Sequence, residues 1–166
     1  MFDLAVLGVD PGIAATGIAA VRRCDGRTVI AWAGTIRTPS GLAEPARLRL
    51  LHEAVLDAIR EHRAEAVAVE RVMWGRNVGS AMSVARATGV VLLAAAQAGV
   101  DVEEYAPLEV KMAVAGVGNA PKDTLRRALV RVHGLEGVPA EPDAADAVAV
   151  AFCHLQESRL RRAVRA

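Results

Sequence analysis

Aromatic residues and cysteines are scarce in this chain, and long hydrophobic runs are missing. Phe, Trp and Tyr together make up 3% of the 166 residues, so a core must be built mainly from Ala, Val and Leu. The two cysteines, Cys24 and Cys153, are too few for a disulfide framework, and their spacing matches no metal motif. We therefore expect buried, reduced thiols. No run reaches the roughly 20 apolar residues that cross a bilayer.

Neither sign of charge is in large excess. The formal net charge is +1, which argues neither for nor against a nucleic-acid partner. The distribution is more informative, because arginines crowd the end of the chain and predict a poorly ordered basic tail over 159–166. The first residues lack a basic segment followed by a long apolar one, so we expect no secretory signal and a cytoplasmic protein without a membrane segment.

The first third of the chain predicts an antiparallel meander of three strands. Residues 4–10 are apolar on both faces, as in a central strand, and Pro11-Gly12 ends them. Two further predicted strands, 16–23 and 27–37, flank Asp25-Gly26, which is typical of a tight hairpin.

The rest of the chain alternates helices with short strands. Apolar periodicity and glycine stops predict helices at 43–63, 77–98, 108–115 and 119–134, a last helix from Pro142, and strands at 66–70 and 101–105. The order predicts one α/β domain over residues 1–158, with a five-stranded mixed sheet and helices on both faces.

Four acids stand at the ends of apolar segments. Asp10 ends the first strand, Glu70 ends the fourth, and Asp143 and Asp146 lie three residues apart in the expected first turn of the last helix. If the first and fourth strands are parallel neighbours, Asp10 and Glu70 emerge at one sheet edge, and the last helix could bring the other two over it. Gly8 leaves space on the same face.

Each acid also has a simpler explanation as a turn former, a solvated strand end or a helix N-terminal charge. Four converging carboxylates, however, are costly without cations. The combination favours a pair of hard divalent metal ions and cleavage of a phosphodiester.

Several motifs together resemble the RuvC family of Holliday junction resolvases. They are Val6-Leu7-Gly8-Val9-Asp10-Pro11-Gly12, Thr16-Gly17, Val69-Glu70-Arg71-Val72 and Asp143-Ala144-Ala145-Asp146-Ala147. The similarity in order and spacing covers nearly the whole chain and fades after about His154. The first motif alone is shared with actin-like ATPases and sugar kinases, whereas the full set is specific.

The resemblance implies a ribonuclease-H-like fold and a homodimer that nicks two opposed strands of a four-way DNA junction with divalent metal. It also implies association with the RuvA and RuvB proteins. By motif match, the metal-binding carboxylates are Asp10, Glu70, Asp143 and Asp146, and lysines near the DNA and the active site match Lys111 and Lys122. Where relatives often carry an aromatic residue that stacks on an unpaired base, this chain has Met73, followed by Trp74.

We therefore expect two Mg²⁺ or Mn²⁺ ions per active site, roughly 4 Å apart, with Asp10 bridging them. One ion would activate a water, the other would stabilise the leaving 3′ oxygen, and Lys111 or Lys122 would stabilise the phosphorane. The expected DNA contacts are Arg71, Met73, Trp74, Arg76, Asn77, Arg86, Lys111 and Lys122. Symmetric cuts require a two-fold axis, and helix 77–98 is the candidate dimer interface.

Other functions remain open at this point. An actin-like ATPase would need a second phosphate loop and an adenosine site, and neither is visible in the sequence. A nuclease of the same fold acting on other substrates, such as pre-ribosomal RNA, is a nearer alternative. A non-catalytic junction-binding module is a further one, and its binding would be indifferent to loss of the four acids.

Overall fold

The first three strands form the predicted antiparallel meander. The computed structural model describes residues 4–73, 78–119 and 121–165. Strand β1 (Leu4–Asp10) pairs with β2 (Ala15–Cys24), which pairs with β3 (Arg27–Arg37). Asp25 and Gly26 have positive φ angles of 49° and 77°, which is how a two-residue hairpin matches the twist of its strands.

Two parallel strands complete the sheet. Strands β4 (Ala66–Glu70) and β5 (Asp101–Tyr105) give the order β3-β2-β1-β4-β5, with β4 parallel to β1 and β5 parallel to β4. Strand β1 is therefore central and covered on both faces, which explains its unbroken apolar sequence. The predicted fold class is confirmed.

The helices divide between the two faces of the sheet. Helices α1 (Glu44–Glu61) and α2 (Val78–Ala98) pack over Leu7 and Val9 of β1. Helices α3 (Pro107–Ala115), α4 (Lys122–Arg131) and α5 (Pro142–Arg165) share the opposite core with Val6. Helix α4 is shorter than predicted at both ends. The backbone of α5 stays helical to Arg165, through most of the segment expected as a basic tail.

Helix α2 has one buried face and one exposed face, although nearly all of its residues are apolar or small. Ala87, Val91 and Ala95 are buried against the sheet and α1, while Met82 and Leu93 are exposed. Among the described residues, α2 is long and apolar enough to cross a membrane by length and composition alone. Core helices pass the same test, so this finding by itself is weak evidence. We predicted no membrane-spanning segment because no unbroken apolar run is long enough to cross a bilayer. Helix α2 has the required length and mean hydropathy although polar residues interrupt it.

The two cysteines have different environments, so the prediction that both are buried is wrong for one of them. Cys24 is exposed because it ends β2 beside the hairpin, and Cys153 is buried in α5. Burial, with smaller contributions from Glu157 and Glu109, raises the pKa of the Cys153 thiol to about 12. Cys153 is therefore an unreactive core residue.

Candidate active site

Asp10 and Glu70 lie at the same end of the sheet because their strands are parallel neighbours. Val9 pairs with Val69 in the β1–β4 register, so the next residue of each strand is an acid. Both side chains are partly exposed at the carboxyl ends of these strands, where ligands of open α/β sheets bind. The prediction that these strands lie side by side is confirmed.

Two glycines let α5 approach the sheet and bring its acids over Asp10. A Cβ atom on Gly17 would lie 1.8 Å from the carbonyl oxygen of Asp143, and one on Gly8 would lie 2.1 Å from that of Ala147. Gly17 is also the strand partner of Asp10. Contact this close is available only to glycine. The start of α5 is thereby placed directly above the end of β1.

Asp143 lies in the first turn of α5, as predicted, but Asp146 does not. The helix begins at Pro142, so Asp146 falls one turn further along, beyond the four residues whose N–H groups lack helical partners. Asp143 alone therefore gains the full effect of the helix N-terminus.

The pKa of Asp10 shows that the other three carboxylates act on it. The pKa of Asp10 is raised from its ordinary value of 3.8 to about 8, and burial contributes most to this shift. The charges of Glu70 and Asp146, a hydrogen bond to Glu70 and the charge of Asp143 follow in that order. Asp10 therefore holds its proton more tightly than an ordinary carboxyl group does, as expected for a buried acid beside other acids.

The donor set fits hard divalent cations, although the side chains are not closed around one. Four carboxylates supply oxygen ligands, which Mg²⁺ and Mn²⁺ prefer. Within the ranges 4–73, 78–119 and 121–165, no three His, Cys, Asp or Glu side chains already lie close enough together to hold a metal ion. The carboxylates therefore supply the ligand atoms that such an ion needs, and their side chains would have to move closer together to hold it.

A cleft of about 580 Å³ opens beside Asp10 and Glu70. Its remaining walls come from the segment after β4, the first turns of α2 and the start of α3: Pro11, Arg71, Val72, Met73, Ser80, Ala81, Val84 and Pro107. Met73 is 60% exposed, so an apolar side chain faces the open cleft. Sequence reasoning missed Ser80, Val84 and Pro107, since no local pattern shows that α2 and α3 start at this edge.

A network of buried polar groups anchors the loop that follows β1. The Thr16 hydroxyl donates to the Gly12 carbonyl at 2.5 Å and accepts from its N–H at 3.2 Å. Thr38 donates to the carbonyl of Ile13, and Arg47 donates to both Thr38 Oγ1 (2.8 Å) and that carbonyl (3.3 Å). The end of β1, and with it Asp10, is thereby held by two other elements.

The structure describes only some of the residues that we predicted to contact DNA or the scissile phosphate. Lys111 lies in α3, one turn after Pro107 of the cleft wall. Arg71 is exposed and donates to the carbonyl of Glu104 at 3.2 Å. Arg86 is held by both carboxylate oxygens of Glu44, at 2.9 and 2.8 Å, rather than free to bind phosphate. The side chain of Lys122 and the residues Trp74, Arg76 and Asn77 lie outside the described residues.

Comparison with known proteins agrees with this architecture. A family model described as "Crossover junction endodeoxyribonuclease RuvC" matches residues 6–154. The protein of that name from Syntrophomonas wolfei is 43% identical over 155 residues, covering 93% of this chain and 90% of the relative. That from Corynebacterium jeikeium is 41% identical over 160 residues, covering 96% and 98%.

A solved structure shares both fold and sequence. Thermus thermophilus RuvC in complex with Holliday junction substrate superposes with a TM-score of 0.87 at 34% identity, covering 95% of this chain and 96% of that one. The family match spans nearly the whole chain, and the two relatives exceed 40% identity over most of their own lengths. This chain belongs to the RuvC family of crossover junction endodeoxyribonucleases.

Proposed function

We propose that this chain resolves Holliday junctions by paired, symmetric, metal-dependent nicks in opposed strands during recombination and repair. Its family consists of crossover junction endodeoxyribonucleases, and family membership implies dependence on divalent metal. The observation that carries the proposal is the meeting of Asp10, Glu70, Asp143 and Asp146 at one end of the sheet. An actin-like ATPase does not account for this cluster of acids.

The proposed metal ligands are these same four carboxylates, holding two Mg²⁺ or Mn²⁺ ions. The ions would supply a nucleophilic water at neutral pH and stabilise charge on the leaving oxygen. Asp10, on the central strand, would hold a cation together with Glu70, its neighbour across the β1–β4 pairing. The anchored loop after β1 holds the backbone beside Asp10 in place.

The rest of the cleft would bind DNA. We propose that Lys111 and Lys122 stabilise charge at the scissile phosphate and that the junction contacts Arg71, Met73, Trp74, Arg76, Asn77 and Arg86. Met73 supports this role because it is exposed at the cleft, where an apolar side chain can wedge between bases. Arg86 must leave Glu44 before it contacts phosphate, and each phosphate contact adds about −0.9 to the log–log salt slope on duplex DNA.

We also propose a homodimer formed through α2. Its outer face combines exposed Met82 and Leu93 with Gly89, around which a Cβ would meet nothing within 4 Å. Small residues flanked by larger apolar ones allow two helices to cross closely. Leu93→Arg should give a monomer in sedimentation at micromolar concentration, whereas Val132→Arg, at a 74% exposed site on another face, should leave the dimer intact. A dimeric Leu93→Arg variant would contradict this interface.

The remaining assignments follow the family. We propose that residues 1–158 form the nuclease domain, that the basic segment 159–166 follows it, and that the protein acts in the cytoplasm with RuvA and RuvB. A pull-down with each purified partner, with and without junction DNA, tests the association.

The decisive experiment is nicking of a synthetic mobile four-way junction with Mg²⁺, with Mn²⁺ and with chelator. We expect symmetric nicks with metal, none with chelator, and little cleavage of linear duplex or structured RNA. Asp10→Asn should abolish nicking while junction binding stays nearly intact, and Asp57→Asn, on the exposed side of α1, is the matched control. Equal nicking by wild type and Asp10→Asn would contradict the site, and preferential RNA cleavage would contradict the substrate.

A further inference from the structure

Tyr105 is a buried tyrosine at the end of β5 that contacts the strand carrying Glu70. Its side chain is 2% exposed, and the β4–β5 register places it opposite Glu70. Its carbonyl oxygen accepts a hydrogen bond from the backbone N–H of Arg71 at 2.7 Å. Tyr105 therefore holds the chain immediately after Glu70.

The hydroxyl of the same residue reaches the helix that carries the other acids. Its oxygen lies 2.9 Å from Nδ1 of His154, and the two rings meet edge to face with centroids 5.9 Å apart. His154 follows Asp146 by eight residues on α5 and is half-buried. One residue thus joins the end of β4 to α5.

The contact between Tyr105 and His154 acts on a different part of the sheet from the contacts that seat the start of α5. The carbonyls of Asp143 and Ala147 fit against Gly17 of β2 and Gly8 of β1. The hydrogen bond between Tyr105 and His154 ties α5 to β5, the neighbour of β4. It therefore bears on how far the acids of α5 stand from Glu70.

We propose that Tyr105 and His154 form a positioning pair that sets the separation between Glu70 and the two aspartates of α5, and thereby the affinity of the site for divalent cations. This inference rests on the proposed function. Neither residue touches the reacting atoms. Contacts that orient metal ligands from outside typically change metal affinity or activity by about 10–100-fold.

Four single variants and one double variant test the pair. Tyr105→Phe removes only the hydroxyl, His154→Leu removes its partner, and His154→Asn keeps a polar atom near the place of Nδ1. Thr88→Val is the matched control, because it deletes a buried hydroxyl, bonded to the carbonyl of Val84 at 3.0 Å, on the other face of the sheet. Binding of Mn²⁺ to the DNA-free protein is measured by electron paramagnetic resonance of the free ion. Single-turnover junction nicking is measured across Mg²⁺ concentrations.

We expect Tyr105→Phe and His154→Leu each to weaken Mn²⁺ binding by about ten-fold and to raise the Mg²⁺ requirement for nicking by a similar factor. The double variant Tyr105→Phe/His154→Leu should bind Mn²⁺ no more weakly than either single variant. His154→Asn should recover most of the lost Mn²⁺ affinity, and Thr88→Val should bind Mn²⁺ as the wild type does. Unchanged Mn²⁺ affinity in Tyr105→Phe, an equal loss in Thr88→Val, or additive losses in the double variant would overturn the proposal. A wild type that binds Mn²⁺ but cuts no junction contradicts the proposed function alone, and the Mn²⁺ series then still decides on the pair.

Discussion

Replacing Asp10 by Asn should stabilise the metal-free protein while removing its activity. The carboxyl of Asp10 has its pKa raised to about 8 by burial and by three neighbouring acids. In the unfolded chain the same group titrates near 3.9. Between these two values the folded state keeps a proton that the unfolded state has lost, so the free energy of unfolding falls as the pH rises. The stability is fully present below about pH 4 and lost above about pH 8.

The size of the effect follows from the shift. About four pH units at about 1.4 kcal/mol each give an upper limit of about 6 kcal/mol above pH 8. The cluster opens to the cleft, so solvent and side-chain relaxation bring the effect below this upper limit. We expect Asp10→Asn to raise the free energy of unfolding by about 2–3 kcal/mol above pH 8. For a chain of this length, that gain raises the melting temperature by roughly 5–10 °C.

The assay is thermal unfolding followed by circular dichroism in the presence of chelator, at acid and at mildly alkaline pH. The gain should be small near pH 4 and largest above pH 8, and Asp57→Asn should show no such trend. A variant no more stable than wild type at alkaline pH, or equally stabilised at both pH values, would refute the electrostatic reasoning. It would mean that neither burial nor the neighbouring acids raise the pKa of Asp10 in the folded protein.

Three further outcomes are expected. Gly17→Ala should lower nicking at least 100-fold, because its Cβ would lie 1.8 Å from the carbonyl oxygen of Asp143, where ordinary contact needs 3.4 Å, and a misplacement of about 1 Å can cost that much. The control Gly41→Ala places its Cβ in open space and should leave nicking normal. Equal activities of the two variants would contradict the close approach of α5 to the sheet. Divalent metal at 100 times its dissociation constant should stabilise wild type by about 2.7 kcal/mol, and the same stabilisation in Asp10→Asn would exclude Asp10 as a ligand. Thr38→Val should cost about 1–3 kcal/mol in urea unfolding, because it leaves Arg47 with an unpaired donor, and a loss under 0.5 kcal/mol would show that the network is not needed.

Features encoded over a few residues were predictable from the sequence. Asp25-Gly26 specifies its own hairpin because both residues tolerate positive φ. The apolar run before Asp10 indicates a strand buried on both faces, and parallel pairing with the strand ending at Glu70 then brings two acids to one edge. The three-residue spacing of Asp143 and Asp146 at the start of the last helix added a second pair of acids, and the motif resemblance supported all four.

Contacts between distant parts of the chain were decided only by the tertiary structure. The spacing of Asp143 and Asp146 cannot tell how near α5 comes to the sheet, which depends on the missing side chains of Gly8 and Gly17. Neither the capture of Arg86 by Glu44 nor the bond between Tyr105 and His154 leaves a local signal. Such contacts join residues more than 40 positions apart, so their geometry follows from how the helices pack on the sheet and not from any periodicity.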